Sequence, residues 1–418
     1  MAEFEEKGSG SVRSLKQSIT GSPLSVFLVG LSGETEKGNE RMITIKRVSL
    51  DIPRGRRILA VSDIHGHVHF LKKVLEKAGF CEDDELIIDG DIIEKGPYSL
   101  ETLRYVMELD KKPNVHVISG NVDSWQLELI GSREPERTRA LAEFIRTAKK
   151  RWGGSLFLDF CEEMGIGHPQ TEAETAAARE KVIAHGQAEL KFLSELPSIV
   201  EAGNFIFVHS GLPERWEEMD GQEATPVLKF DDFRNRGGSF DRCVVAGHWP
   251  VCLYRHEVAE FNPFFDRNKN IISIDGGCGL KRDGQLNCLI IPDAEGTMEE
   301  VSWTSYGGFP EMTAVDSQQE RKARISVQYT DNRVELLPGQ SPGAGLVRLR
   351  HLTTDTVLDV PEDYLYERDG TLRCDDFCDY HMEVKAGERV ELVETGAMGS
   401  LIKKNGVSSW YHGRLEPV

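Results

Sequence analysis

Asp63-Ile64-His65-Gly66, Gly90-Asp91, Gly120-Asn121, His209 and Gly247-His248 offer six side chains able to ligate metal ions, spread over five short motifs. Carboxylate, imidazole and amide donors of this kind suit Mn²⁺, or an Fe/Zn pair. Two divalent ions about 3.5–4 Å apart clamp a phosphate group and generate hydroxide from water at neutral pH. A carboxylate can bridge both ions, and Asp91, whose motif is central in the series, is the natural bridge. A lone strand-end histidine is more often a structural residue. Five such motifs in one order make coincidence a poor account of the whole set, and the chemistry expected is hydrolysis of a phosphate ester.

Each motif closes a short apolar run that reads as a strand. These are Ile58–Ser62 before Asp63, Glu85–Asp89 before Gly90, Val115–Ser119 before Gly120, Phe205–Val208 before His209 and Val244–Ala246 before Gly247. All six ligands are therefore expected at the carboxyl edge of a sheet, where α/β folds place their chemistry. Apolar spacing predicts helices over 70–78 and 98–109, the second entered at Pro97. Between Asn121 and His209 lies a long insertion, about 133–197, with helical runs at 135–150, 155–164 and 171–195. It is expected to overhang the metals and shape the substrate pocket.

The motif set resembles the calcineurin-like metallophosphoesterases, in the branch with phosphoprotein phosphatases and bacterial diadenosine tetraphosphatases. The resemblance covers residues 56–305 and implies a four-layer α/β sandwich of two mixed sheets with flanking helices. It assigns Asp63, His65 and Asp91 to one metal, and Asp91, Asn121, His209 and His248 to the other. A metal-bridging hydroxide would attack the phosphorus. Asn235-Arg236-Gly237-Gly238-Ser239-Phe240 is similar to the family segment whose Arg grips phosphate oxygens, which nominates Arg236. Ile274-Asp275-Gly276-Gly277-Cys278-Gly279 matches the family's strand and loop beside the site.

Two departures stand out. The family's Gly-Asp-x-x-Asp-Arg-Gly reads Gly90-Asp91-Ile92-Ile93-Glu94-Lys95-Gly96, so Lys95 keeps the charge of an Arg and loses its fork. The family's Gly-Asn-His-Asp/Glu reads Gly120-Asn121-Val122-Asp123. The resemblance implies that the missing His protonates the leaving oxygen, paired with the carboxylate that is Glu94 here. General acid help is worth about 10²–10⁴-fold. His67 is one candidate substitute donor. Smaller superfamily members with phosphodiesterase activity also lack that His, and Gly120-Asn121-Val122-Asp123-Ser124 is similar to theirs.

The remaining expectations follow from composition and pattern. With 418 residues the chain is long enough for two cored domains, and its net charge of −19 argues against nucleic-acid polymers and anionic membranes as partners. Eight scattered cysteines do not form a disulfide scaffold, and no apolar stretch is long enough to span a membrane. A cytoplasmic location is expected. Residues 1–41, rich in Gly, Ser and charge, read as disordered, with a strand opening at Met42. The metallophosphoesterase domain is set at 42–309, a linker at 310–324 and a small all-β barrel at 325–418. Within the barrel Asn405-Gly406 signals a hairpin. Ser408-Ser409-Trp410-Tyr411 and Gly413-Arg414-Leu415 resemble the closing strands of bacterial SH3-like barrels, which implies a peptide or protein ligand there. The leading functional expectation is a phosphatase acting on phosphoprotein or nucleotide substrates. A phosphodiesterase, a dinucleoside polyphosphate hydrolase and a catalytically weak metal-binding interaction protein are the alternatives.

Overall fold

The computed structural model describes residues 43–337, 339, 342, 343 and 345–418. The expectations for residues 1–41 and for Met42 lie outside these. The first strand, β1, is Arg47–Leu50, slightly later than the patterned run suggested.

Two mixed sheets form the centre. One contains β2 (Ile58–Val61), β3 (Glu85–Asp89) and β4 (Val115–Ile118), all parallel. The other contains β5 (Ile199–Ala202), β6 (Phe205–Val208) and β7 (Cys243–Ala246), with β6 and β7 parallel. Strands β2, β3, β6 and β7 are buried on both faces, which explains their unbroken apolar runs. In β2, Ile58 and Ala60 face the space between the sheets while Leu59 and Val61 face the helices. In β6, Phe205 and Phe207 enter that same inter-sheet core, and Ile206 and Val208 join a third apolar layer with Trp216, Val227 and Phe233. One correction follows: the ligand-bearing strands belong to two sheets, not one, and their carboxyl ends converge across the sandwich.

Helix α1, Val68–Ala78, buries Val68, Leu71, Val74, Leu75 and Ala78 and ends at Gly79, whose φ of +66° suits glycine. Helix α2 is Ser99–Asp110; Tyr98 holds its cap position, so Pro97 precedes the helix rather than opening it. Helix α3, Asn121–Gly131, was not foreseen, because its first residue is also the last of a strand-end motif. The insert then supplies α4 (Pro135–Trp152), α5 (Leu156–Glu163), α6 (Glu172–His185) and α7 (Gln187–Glu195). The single run expected over 171–195 breaks at Gly186, where a Cβ would sit 2.5 Å from the Phe160 ring.

After β7 come β8 (Ala259–Glu260), β9 (Phe264–Asp266), β10 (Ile271–Ser273), β11 (Leu286–Ile291) and β12 (Ser302–Tyr306). The first sheet has the order β12-β11-β2-β3-β4 and the second β1-β5-β6-β7-β10-β9. The stretch expected as a linker instead carries β13, Glu311–Ala314, which pairs with two strands of the C-terminal region. Its Met312 and Ala314 pack into that region's apolar core, which is why it is held as a strand. Apart from one 3-10 turn at Glu362–Tyr364, the described residues of 325–418 form only strands and irregular connections. Asn405 and Gly406 both have positive φ, +51° and +77°, as a two-residue type I′ turn requires. Trp410 and Tyr411 are buried in core rather than displayed. Strand β8 adds to the edge of the C-terminal six-stranded sheet, pairing Val407 with Glu260 and Ser408 with Ala259. No helix among the described residues is long and apolar enough to cross a membrane.

Candidate metal centre

The turns that carry the ligands are unusual in their backbone. Asp63, His65, Asp91 and His248 have φ of +54°, +48°, +50° and +65°. Left-handed geometry costs a non-glycine residue roughly 1–3 kcal/mol and collects at functional sites. Hydrogen bonds between neighbouring turns hold it: Asp63 N–H donates to Gly90 O at 3.1 Å and His65 N–H to Asp91 O at 2.9 Å. Gly120 is needed for close approach, since a Cβ there would lie 2.1 Å from Asp91 N.

Asp91 sits centrally. Its Oδ2 is 3.7 Å from His65 Nε2 and its Oδ1 is 3.3 Å from His209 Nε2, so its two oxygens face different histidines. Asp63 Oδ1 lies 3.9 Å from His65 Nε2, and Asn121 Oδ1 lies 3.0 Å from His209 Nε2. Donor atoms of Asp63, Asp91 and His209 lie within 4.8 Å of one another. The His248 ring is 5.3 Å from that of His209, and its backbone N–H donates to Asp63 Oδ2 at 2.9 Å. All six expected ligands are thus brought together.

Each histidine has one ring nitrogen held by an oxygen outside the cluster. His209 Nδ1 faces Asp89 O at 3.0 Å, His65 Nδ1 faces Ile93 O at 3.4 Å, and His248 Nε2 faces Asp231 Oδ1 at 2.8 Å. Such partners fix tautomer and ring direction and leave the opposite nitrogen for a cation. Asp231 has no signature in the sequence, because the loop that brings it to His248 is irregular.

Charge supplies the test of fit. Asp63, Asp89, Asp91 and Asp275 are all buried, and Asp63 Oδ1, both Asp89 oxygens and Asp275 Oδ2 have no hydrogen-bond partner. Burial, then repulsion from Asp275, pushes the Asp63 carboxyl well above its usual range. Burial raises Asp89 to about 7 and Asp275 to about 6. For Asp91 burial acts upward too, but His209, Lys95, His65 and His248 outweigh it and hold the carboxyl below its usual range. His209 is disfavoured as a cation by burial, yet Asp91, Asp63 and Asp89 lift it to about 9. A buried surplus of carboxylate is costly unless cations pair with it. With imidazole and amide oxygen beside it, the set fits divalent cations.

The other expected site residues divide. Lys95 Nζ lies 3.8 Å from Asp91 Oδ2 and 3.4 Å from His65 Nε2, at the cluster. Arg236 is exposed, stacks on Phe230 at 5.4 Å and donates to Asp231 O at 3.1 Å, which sets it beside the partner of His248. His67 Nδ1 is committed to the carbonyls of His65 at 2.6 Å and Ile64 at 3.3 Å. Val122 is buried, and its N–H donates to Asp91 Oδ1 at 2.8 Å. Glu94 is buried, with Oε1 accepting from Leu156 N–H at 2.9 Å; that bond ties it to the first turn of α5. Asp123 accepts from the backbone N–H groups of Gly120, Ile92 and Ile93 at 2.9–3.3 Å, so it braces the Asp91 turn.

Residues 56–252 match the calcineurin-like phosphoesterase family model. That segment is similar to the calcineurin-like phosphoesterases, a class of hydrolases acting on phosphate esters that uses a dinuclear divalent metal centre. It is 26% identical over 159 residues to a symmetrical bis(5'-nucleosyl)-tetraphosphatase of Neisseria meningitidis, covering 38% of this chain and 44% of that protein. The chain thus spans less than half the length of this curated relative. A putative diadenosine tetraphosphatase structure aligns with TM-score 0.39 and 19% identity over 63% of this chain and 99% of that one. A Saccharomyces cerevisiae protein serine/threonine phosphatase aligns with TM-score 0.36 and 13% identity over 64% and 84%.

Proposed function

We propose that this chain is a metal-dependent phosphohydrolase that prefers leaving groups needing no proton, with dinucleoside polyphosphates and other nucleotide anhydrides as the favoured class. The observation that carries this reading is the pair Val122 and Glu94. An apolar side chain stands where the family places its proton donor, and the carboxylate that would orient a donor is bonded to the insert. A phosphoanhydride releases a phosphate whose pKa lies well below that of an alcohol, so the loss of general acid help costs little. The printed names of the curated relatives point the same way.

Asp63, His65 and Asp91 would hold one ion and Asp91, Asn121, His209 and His248 the other. Bound divalent ions would supply Lewis acidity toward phosphoryl oxygens and lower the pKa of water. Lys95 adds positive charge at Asp91 for the transferring group, and Arg236 at the rim is suited to gripping its outer oxygens. Asp231 keeps His248 aimed inward. Phosphoprotein substrates remain the second reading, favoured by the exposed Arg236 fork. A cytoplasmic setting goes with this reading, since the scattered spacing of the eight cysteines suits a reducing compartment. An SH3-like reading of the C-terminal region, with a peptide ligand, would accord with its all-β strands.

The purified protein with Mn²⁺ should hydrolyse diadenosine tetraphosphate and p-nitrophenyl phosphate well and a phosphoserine peptide poorly. Asp91→Asn should lower the first two rates by at least about 10³-fold, since the bridging position serves both ions. Equal rates on anhydride and phosphoserine substrates would overturn the substrate preference. Wild-type rates in Asp91→Asn would overturn the site.

A further inference from the structure

The segment between β10 and β11, residues 274–285, runs from the candidate metal centre to the C-terminal region. At one end it touches the ligand turns. Asp275 is buried among the site carboxylates, and its Oδ1 accepts from Gly277 N–H at 2.7 Å. Cys278 Sγ lies 3.7 Å from the carbonyl of Ile64, the residue between the ligands Asp63 and His65. Gly279 abuts the turn that carries Lys95: a Cβ there would meet the His67 ring at 2.6 Å and Lys95 O at 2.9 Å.

At the other end three consecutive residues are gripped by the C-terminal region. Lys281 is ion-paired with Asp376, whose other oxygen accepts from Tyr329 N–H at 2.6 Å. Arg282 Nη1 reaches Glu394 Oε2 at 2.8 Å and Asp363 Oδ2 at 3.3 Å, and the guanidinium lies 4.2 Å over Tyr364. Tyr364 in turn donates to Glu394 Oε1 at 2.7 Å. The carbonyl of Asp283 accepts from Lys403 Nζ at 2.6 Å. The segment is also bonded to itself, Lys281 N–H to Gly277 O at 2.9 Å and Gln285 N–H to Gly276 O at 2.9 Å. It is a stiff bridge, so a displacement at Lys281 reaches Cys278 and Gly279 within three residues.

We propose that the C-terminal β region is a working part of the metal centre: through Asp376, Glu394 and Lys403 it holds this strap, and the strap holds the Asp63–His65 and Lys95 turns in their strained geometry. Lys281 and Arg282 are positioning residues; they touch no ligand atom and act through Cys278 and Gly279. Four ligands sit in left-handed backbone, a state that persists only where surroundings over-determine it. Loss of the grip should relax the turns and misplace the donors. The proposal rests on the metal-dependent reading of the site above.

The test reads metal affinity rather than turnover. In the full-length protein, Asp376→Ala should weaken Mn²⁺ binding by titration calorimetry at least about tenfold. Asp376→Glu, which keeps the carboxylate, should recover most of it. Leu358→Ala, buried in the C-terminal core and not among the residues that grip the strap, serves as the control and should stay within about twofold of wild type at a comparable drop in melting temperature. Should Asp376→Ala not fold, Arg282→Ala carries the same comparison, with an expected weakening of about threefold or more. Wild-type affinity in the strap variants, or an equal loss in Leu358→Ala, would overturn the proposal. A wild-type protein that binds Mn²⁺ and hydrolyses no phosphate substrate would sink the enzymatic reading and leave the strap to be judged on affinity alone.

Discussion

The helical insert and the C-terminal β region both adjoin the sandwich that carries the candidate metal centre, and they are joined to it by different physics. The insert shares a core with the catalytic sheet: Leu141, Phe144, Phe157, Phe160 and Val182 form one apolar cluster with Leu59, Val61, Leu71 and Ile88. Its polar ties include carboxylates accepting backbone N–H groups, Glu94 from Leu156 at 2.9 Å and Asp159 from Leu100 at 3.0 Å. They also include ion pairs of Arg104 with Glu163 and Glu189, but these only add to a core already held in common. The C-terminal region keeps its own cores, built from residues such as Leu349, Leu358, Val360 and Trp410 in one and Ala314, Val390 and Ile402 in the other. It meets the catalytic side mainly through charged side chains and the short β8 edge. Apolar continuity makes the insert an extension of the catalytic domain. Charged contacts can grip a single loop without merging two cores, because ion pairs are directional and burial is not.

The largest effect should come from breaking the shared core. Phe160→Ala is expected to cost about 3–5 kcal/mol. By hydrogen exchange, protection should fall together in the insert and in β2 and β3, while residues 346–361 are spared. Leu358→Ala, costing about 2–5 kcal/mol, should do the reverse. If either variant lowers protection equally on both sides, the two cores unfold as one unit and the contrast drawn above is wrong.

A smaller effect is expected at the charged joint. Lys403 is buried between Phe261 and Phe309, with ring centroids 4.3 and 5.7 Å from Nζ, and burial pushes its ammonium down to about 8 despite Asp283 and Glu391 nearby. The unfolded chain holds the proton up to about pH 10.4. Below pH 8 the full penalty of keeping the charge in the fold applies. Between pH 8 and 10.4 the folded state sheds its proton first, so stability contributed by this group rises with pH, by about 3 kcal/mol in all. Lys403→Met should remove that rise. Urea melts of both proteins at pH 7.5 and pH 10 check it; equal pH dependence in the two would mean that the group titrates normally.

What could be read from the sequence follows the same division. The strand-end motifs were legible because β2, β3, β4, β6 and β7 are apolar runs stopped by a glycine or a ligand, a local signal. The insert helices were legible from periodicity, save the break at Gly186, which is set by the Phe160 ring in another helix. The partners that tune the site were not. Asp231 reaches His248 through an irregular loop, and Asp376 is 95 residues from Lys281. The stretch 310–324 read as a linker since its strand is short and finds partners only at 389–391 and 415–417. Long-range polar contacts leave no period and no spacing behind.

The smallest expected effect probes the insert side at the chemistry itself. On the reading proposed above Val122 takes the place of a proton donor, and Glu94 Oε2 is buried without a partner while Oε1 holds Leu156. Val122→His would put an imidazole on the first turn of α3, with the unused oxygen of Glu94 as the acceptor that can orient it. A restored donor helps in proportion to how badly the leaving group needs a proton. Alkyl phosphates should therefore gain more than aryl phosphates, by at least about tenfold, or about 1.4 kcal/mol in relative barrier. Burial, opposed in part by the Leu156 N–H, already pushes the Glu94 carboxyl well above its usual range, so an imidazolium beside it should pull that carboxyl back down. Adding Glu94→Gln to Val122→His should then erase the alkyl advantage while keeping the bond to Leu156, because the amide oxygen can still accept. An equal gain for both ester classes, or an alkyl advantage that survives Glu94→Gln, would mean that Glu94 serves only as a cap for the insert and that the donor lies elsewhere.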